Sequence, residues 1–327
     1  MITYWQQEDG LFIRREKNEI DSSQRLWVDA VNVTVREMTI LEEKYNLDHD
    51  HVLDSLDPDE LSRIEAADDY ILTILRLPVF RPNAEVCYFT TPIGIMIFPA
   101  MIITLCWTDC EVLLDLRRNR IRDITLNDFP ALITKVLSRA DMMFLRYLKE
   151  INRRTNSIQL ELQKSVENRE LIQLFNMEKS LTYFTTSLKS NQLLLERMRK
   201  TRLLKLDAED QDWLDDVEIE NKQAMEMADT YSAITSGTMD AFASVITNNM
   251  NIVMQKLTVF SIVLMVISFI TSFWGMNIKL PWSGGNTWTG FIFLSLFCLV
   301  TAIVSFIVMT VSPFNIIRKI KDRRSPK

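Results

Sequence analysis

Residues 257–274 read LTVFSIVLMVISFITSFW, and residues 288–311 read WTGFIFLSLFCLVTAIVSFIVMTV. Eighteen and then twenty-four residues pass without an ionisable side chain. A helix rises ~1.5 Å per residue, so the ~30 Å hydrocarbon layer of a bilayer takes about 20 residues. Both stretches meet that length, the first narrowly. Two in tandem read as transmembrane helices rather than buried core helices, and their position excludes a signal peptide. Trp274, Trp282 and Trp288 gather at the short connection, where interfacial tryptophans belong. Beyond the second stretch stand Arg318, Lys319, Lys321, Arg323, Arg324 and Lys327. Basic flanks stay in the cytoplasm, so both termini are expected there and only residues 275–287 outside.

The formal net charge is −6. From residue 278 onward there are seven Lys or Arg and one Asp, which leaves 30 basic and 42 acidic residues, −12, in the first 277. An acidic cytoplasmic part argues against nucleic acid as a partner. It is compatible with divalent cations, which take carboxylate and carbonyl oxygens, although most such carboxylates simply form a solvated surface. Cys87, Cys106, Cys110 and Cys298 make no disulfide framework or zinc spacing, and His49 and His51 stand apart from them. Seven glycines supply no phosphate-cradling loop, and neither a nucleophile elbow nor HExxH occurs. The chain is therefore not expected to be an enzyme or to hold an organic cofactor.

Strand-like runs fall at 11–14, 26–31, 70–79, 85–91, 94–98 and 101–107, with helices at 35–45 and roughly 50–56 between them. Pro78, Pro82, Pro92 and Pro99 punctuate the strands and suggest turns and edges. After Asp128 the strand signals end. Long helical periods cover 128–164, 167–200 and 208 onward; in the second, Leu171, Leu174, Phe175, Leu181, Phe184, Leu188, Leu195 and Met198 recur at helical spacing. Between 208 and 274 there is no proline and one glycine, Gly237. If continuous, that helix is ~100 Å long and runs from the cytoplasmic part into the first span.

The expected class is thus an α+β cytoplasmic domain (1–126), long antiparallel helices (127–206) and a stalk helix (207–256). A first span (257–276), an outer loop (277–287), a second span (288–312) and a basic tail (313–327) follow.

Along the first span Asn251, Met254, Thr258, Ser261, Met265, Ser268 and Ser272 repeat every 3.5 residues. Small residues of this kind let membrane helices approach closely. The same stripe also suits the wall of a pore shared by several copies, because one helix cannot enclose a channel.

Gly275-Met276-Asn277 at the end of the penultimate span, with a last span following, resembles the CorA family of magnesium channels. Trp27-Val28-Asp29, the segments 53–60 (LDSLDPDE), Arg63-Ile64-Glu65 and Asp68-Asp69-Tyr70-Ile71, together with Ser236-Gly237 and 251–257 (NIVMQKL), extend the likeness along nearly the whole chain. The resemblance implies a funnel-shaped homopentamer in the plasma membrane of a bacterium or archaeon, passing Mg²⁺ and with it Co²⁺ or Ni²⁺, driven by the membrane potential. It implies that Gly275, Met276 and Asn277 form the outer mouth, with the Asn277 ring meeting a hydrated ion. Asn251, Met254, Leu257 and Met265 would form the polar ring and constrictions. Asp240 and Asp216 would match regulatory Mg²⁺ carboxylates between subunits.

Three positions depart from the family pattern. The loop after the central strand reads FRPNAE (80–85) and offers only Glu85 as a carboxylate; 278–287 has no acid and carries Lys279; and Trp274 stands where Tyr is usual. A Zn²⁺-type transporter of the same superfamily and a non-transporting, membrane-anchored coiled-coil scaffold are the alternatives.

Overall fold

The computed structural model describes residues 1–164, 168–201, 203–204, 206–275, 288, 291–293, 295–304 and 306–307. It divides into two compact units, Met1–Ala241 and Phe242–Lys327.

The first unit is built on one seven-stranded sheet: β1 (Ile2–Glu8), β2 (Leu11–Arg15), β3 (Leu26–Val31), β4 (Arg63–Ala66), β5 (Ile71–Phe80), β6 (Tyr88–Ile97) and β7 (Met101–Cys106). Its order is β2-β1-β3-β7-β6-β5-β4, antiparallel throughout except for the β3–β7 pair. Between β3 and β4 lie α1 (Val35–Tyr45) and α2 (His49–Leu56). The start of α1 is fixed by a capping box in which Thr34 Oγ1 accepts from the Glu37 N–H while the Glu37 carboxylate accepts from the Thr34 N–H. Its end is an αL Asn46 at φ 52°, a conformation Asn tolerates well. Helix α2 lies directly on β6, because a Cβ at Gly94 would come within 2.0 Å of Ser55 Oγ. Val28, Ala30, Leu41, Val52, Leu72, Ile74, Met96 and Leu105 close the core on this face.

Three sequence expectations about the sheet need correction. The runs at 85–91 and 94–98 are one strand, β6, with Pro92 inside it. The sheet tolerates this because the β6–β7 ladder covers only Gly94–Ile97, so β6 is a free edge at Pro92. Pro78 is inside β5 for the same reason, since β4 pairs only as far as Ile74. Strands β1 and β4 were not expected, and neither was α3 (Glu111–Arg117), whose Cys110 N-cap makes no side-chain capping bond.

The other face of the sheet is covered by helices. After α4 (Phe129–Lys164) and α5 (Asn168–Lys200) comes α6 (Ala208–Trp274). Helix α5 buries Leu174, Leu181, Phe184, Leu188, Leu195 and Met198 as its period predicts, but Phe175 is exposed. In the first unit α6 buries Leu214, Val217, Asn221, Ala224, Ala228 and Thr235, a stripe at three- and four-residue spacing.

Helix α6 is one uninterrupted element of 67 residues, as its lack of proline predicts, and the boundary between the units falls within it. Among the described residues it is the one helix long and apolar enough to cross a membrane, its most apolar 18-residue window having a mean hydropathy of 2.1 and no buried share. In the second expected span Trp288 and residues 291–293, 295–304 and 306–307 are helical. Met276, Asn277, Lys279, Trp282 and the basic tail lie outside the described residues.

Candidate functional site

In the second unit, α6 has two kinds of surface. Val259, Ile262, Val263, Val266, Ile267 and Ile270 are half-buried, following an i, i+3, i+4 pattern. These are β-branched or purely aliphatic side chains, the type that packs a stiff interface. Cys298, Thr301 and Ala302 are the half-buried residues of the second apolar stretch. The expected stripe falls elsewhere on the helix: Asn251, Met254, Leu257, Thr258, Ser261, Met265, Ser268 and Ser272 are all exposed. Of its apolar members, Met265 is 68% exposed, Leu257 60% and Met254 57%.

Both threonine hydroxyls of this span are tied back to the helix. Thr258 donates to the Met254 carbonyl at 2.8 Å and Thr271 to the Ile267 carbonyl at 3.1 Å. A back-bonded hydroxyl needs no partner on another helix and presents its oxygen lone pairs outward. Such a surface can be wetted without leaving a donor stranded.

At the end of the helix the Gly275 N–H donates to the Thr271 carbonyl at 3.0 Å. A Cβ at Gly275 would meet Thr271 O at 3.4 Å, so nothing among the described residues of one chain demands glycine there.

The three expected regulatory carboxylates are separate in the chain. Glu85 is exposed in the β5–β6 turn, and Asp216 and Asp240 are exposed on α6. Among the described residues no three His, Cys, Asp or Glu come close enough to hold a metal. Near Asp216 the acidic groups are partly neutralised: Arg199 binds Asp215 and, at 2.7 Å, Glu218, and Lys222 reaches Glu218 at 2.8 Å. These cations help hold the Glu218 carboxyl below its usual range, with the Lys222 hydrogen bond the largest cause. The four cysteines are free thiols. Burial pushes Cys106 up to about 11, so it is an inert packing group.

The sequence reading missed a buried polar system around Arg76 and Asn191, where the sheet meets α5. Arg76 is 6% exposed, and its guanidinium donates to Ser187 Oγ, Thr90 Oγ1 and the carbonyls of Pro58 and Glu60. It also missed Asp141 on α4, which the helical period places on the apolar face with Leu137, Ala140, Phe144 and Leu148. An acid at that register was the one available signal.

A family model described as CorA-like Mg²⁺ transporter protein matches residues 22–318. The cobalt/magnesium transport protein CorA of Methanocaldococcus jannaschii is 24% identical over 285 residues, which span 83% of this chain and 86% of that protein. The complete structure of the CorA magnesium transporter from the same organism superposes with a TM-score of 0.75 at 20% identity, covering 95% of this chain and 98% of that one. The full-length CmaX protein gives a TM-score of 0.65 at 15% identity over 95% and 96% of the two chains. The cytoplasmic domain of ZntB from Vibrio parahaemolyticus gives 0.57 at 14% identity, covering 76% of this chain and 97% of that domain.

Proposed function

The chain belongs to the CorA-like Mg²⁺ transporter family, and from that premise we propose that it is a passive channel for Mg²⁺ whose pore is lined by the exposed stripe of α6. The family consists of membrane transporters and not enzymes, so the scaffold alternative falls away. The observation that carries the reading is the division of α6. Its Val and Ile face is half-buried, while Asn251, Met254, Leu257, Thr258, Ser261, Met265, Ser268 and Ser272 stay exposed on a single chain, as do Phe260, Leu264, Phe269 and Phe273, and the polar and small residues set the stripe apart from these.

That exposed stripe fits an axis shared by several copies, and the family's architecture makes the number five. Thr258 and the serines offer oxygens to a hydrated ion, while Met254, Leu257 and Met265 supply apolar constrictions that close by dewetting. Gly275, Met276 and Asn277 form the outer mouth, where five Asn277 carbonyls bind the water shell that Mg²⁺ gives up reluctantly. Inward movement of a divalent ion gains ~4.6 kcal/mol per 100 mV, twice the ~2.3 kcal/mol of a single charge.

Intracellular Mg²⁺ is the proposed regulator. Exposed carboxylates at Asp240, Asp216 and Glu85 are hard oxygen donors of the kind Mg²⁺ takes, but one chain does not gather three of them. Donors from adjacent copies would complete such a site.

The test is uptake into proteoliposomes of Mg²⁺, Co²⁺, Ni²⁺ and Zn²⁺ by the parent chain and by Asn277→Ala. Mg²⁺ uptake that rises with an inward-negative potential and collapses in the variant is expected. Equal uptake by both proteins refutes the mouth assignment, and Zn²⁺ uptake exceeding Mg²⁺ uptake assigns the chain to the zinc branch.

A further inference from the structure

Four aspartates in the first unit are buried, and three of them have an evident partner. Asp29 holds Arg117 at 2.6 Å; Asp115 holds Arg120 at 3.1 Å and also Arg139; Asp210 accepts the Asp207 N–H at 3.2 Å. The fourth, Asp141 on α4, is 0% exposed, and neither carboxyl oxygen has a hydrogen-bond partner among the described residues. An ionised carboxylate in that position is unsolvated and uncompensated, one of the costliest arrangements in a protein interior.

The surroundings make ionisation harder still. One turn before Asp141, Ser138 Oγ donates to Glu220 Oε2 on α6 at 2.9 Å, so this part of α4 lies against the acidic edge of α6. Glu220 is the charged group that acts on Asp141. The charges of α3 are engaged elsewhere, Glu111 with Arg146 and Tyr147 and Asp115 with its two arginines; on α5, Lys189 pairs with Asp229. Burial first, and the Glu220 charge second, push the Asp141 carboxyl well above the usual carboxylate range. Next to Glu220 stands Asn221, fully buried, whose Nδ2 is used by Leu188 O and Gln192 Oε1 while its Oδ1 lacks a donor.

We infer that Asp141 is an internal proton site of the helical bundle: it is held as a neutral acid between α4 and α6, and separating the two helices releases the proton. The contact between α4 and α6 is then linked to pH. In the unfolded chain Asp141 titrates in the ordinary range, and in the folded chain it titrates higher. Between those two values the folded state carries one more proton, so stability falls as pH rises, by up to tenfold in the unfolding equilibrium per pH unit.

The full chain in lipid nanodiscs tests this by infrared spectroscopy. The parent is expected to show the carbonyl band of a protonated carboxyl at neutral pH, shifted by deuteration, and Asp141→Asn to lack it. Urea unfolding from pH 5 to 8 should then show the parent losing stability relative to Asp141→Asn as pH rises. A parent without the band at neutral pH, a variant that keeps it, or parallel stability curves would overturn the inference. Should Asp141→Asn not fold, Glu220→Gln decides the matter. Removing the neighbouring charge must move the band's titration to lower pH, and an unmoved titration refutes the site.

Discussion

The side chain of Asn191 takes the place of a neighbouring strand for Arg76: its Oδ1 accepts the Arg76 N–H at 3.0 Å, and its Nδ2 donates to the Arg76 carbonyl at 2.9 Å. Strand β4 pairs with β5 only as far as Ile74, so beyond it the buried backbone of β5 needs another partner. Helix α5 supplies one from a single amide. The same amide oxygen accepts the Ser62 hydroxyl at 2.7 Å, and Ser190 Oγ accepts the Ser62 N–H at 2.6 Å. One face of α5 thereby fixes both the last residues before β4 and the middle of β5. The arrangement also explains Pro78: two residues on from Arg76, its nitrogen points to the same unladdered side, where no strand asks it for a hydrogen.

Replacing Asn191 by Leu should therefore destabilise the first unit by ~2–6 kcal/mol, because a buried N–H and C=O each lose their partner at ~1–3 kcal/mol apiece. Urea unfolding of the full chain, followed by tryptophan fluorescence, measures it. A loss under ~0.5 kcal/mol would show that the two bonds do not anchor the helix to the sheet.

A methyl group at Gly94 should be costly for a different reason. The added Cβ would lie 2.0 Å from Ser55 Oγ and 2.6 Å from Ser55 Cβ, and the Cβ is fixed by the backbone of α2, so rotating the hydroxyl alone does not relieve the clash. Gly94→Ala is expected to cost ~1–3 kcal/mol through overpacking. Ser55→Gly in the same chain should recover part of that loss despite the ~1 kcal/mol glycine penalty in a helix. Purely additive effects in this double-mutant cycle would mean that the two positions do not meet.

Cysteine scanning distinguishes the two surfaces of α6. In a chain with its own four cysteines replaced, Ser261→Cys and Ser268→Cys should react with a water-soluble thiol reagent in the membrane and lose Mg²⁺ uptake on modification. Val263→Cys and Ile267→Cys, on the half-buried face, should react at least tenfold more slowly. Equal rates at all four positions would remove the stripe from the ion pathway.

For the proposed regulation, Mg²⁺ should protect the first unit of the parent from proteolysis in a concentration-dependent way, and Asp240→Ala should shift that protection to higher Mg²⁺. Protection that is unchanged in the variant at every concentration takes Asp240 out of the sensor.

Much of this was written locally. Helix α1 was legible to the residue because its apolar period, capping box and αL asparagine all agree. The 67-residue run of α6 was legible because nothing in it can break a helix. The 3.5-residue period of the stripe is a property of the sequence itself, and the structure adds that its residues are exposed on one chain. Prolines misled, since Pro92 announces a break but only the register of β7 shows that its nitrogen faces no ladder. Helix α3 gave no sign because Cys110 is a silent cap. Asp141 left one trace in the sequence, an acid at an apolar register of α4. What sets it apart is the lack of a cation beside it, a property of three dimensions alone.

The outer strands of the sheet carry a consequence for how copies can meet. At one end β2 is five residues long and carries Arg14 and Arg15; at the other β4 is four residues long and carries Arg63 and Glu65. Short, charged margins resist zipping onto a second sheet. The proposed assembly of several copies around an ion is thereby denied the easiest wrong way of sticking together, and its contacts are left to the helices.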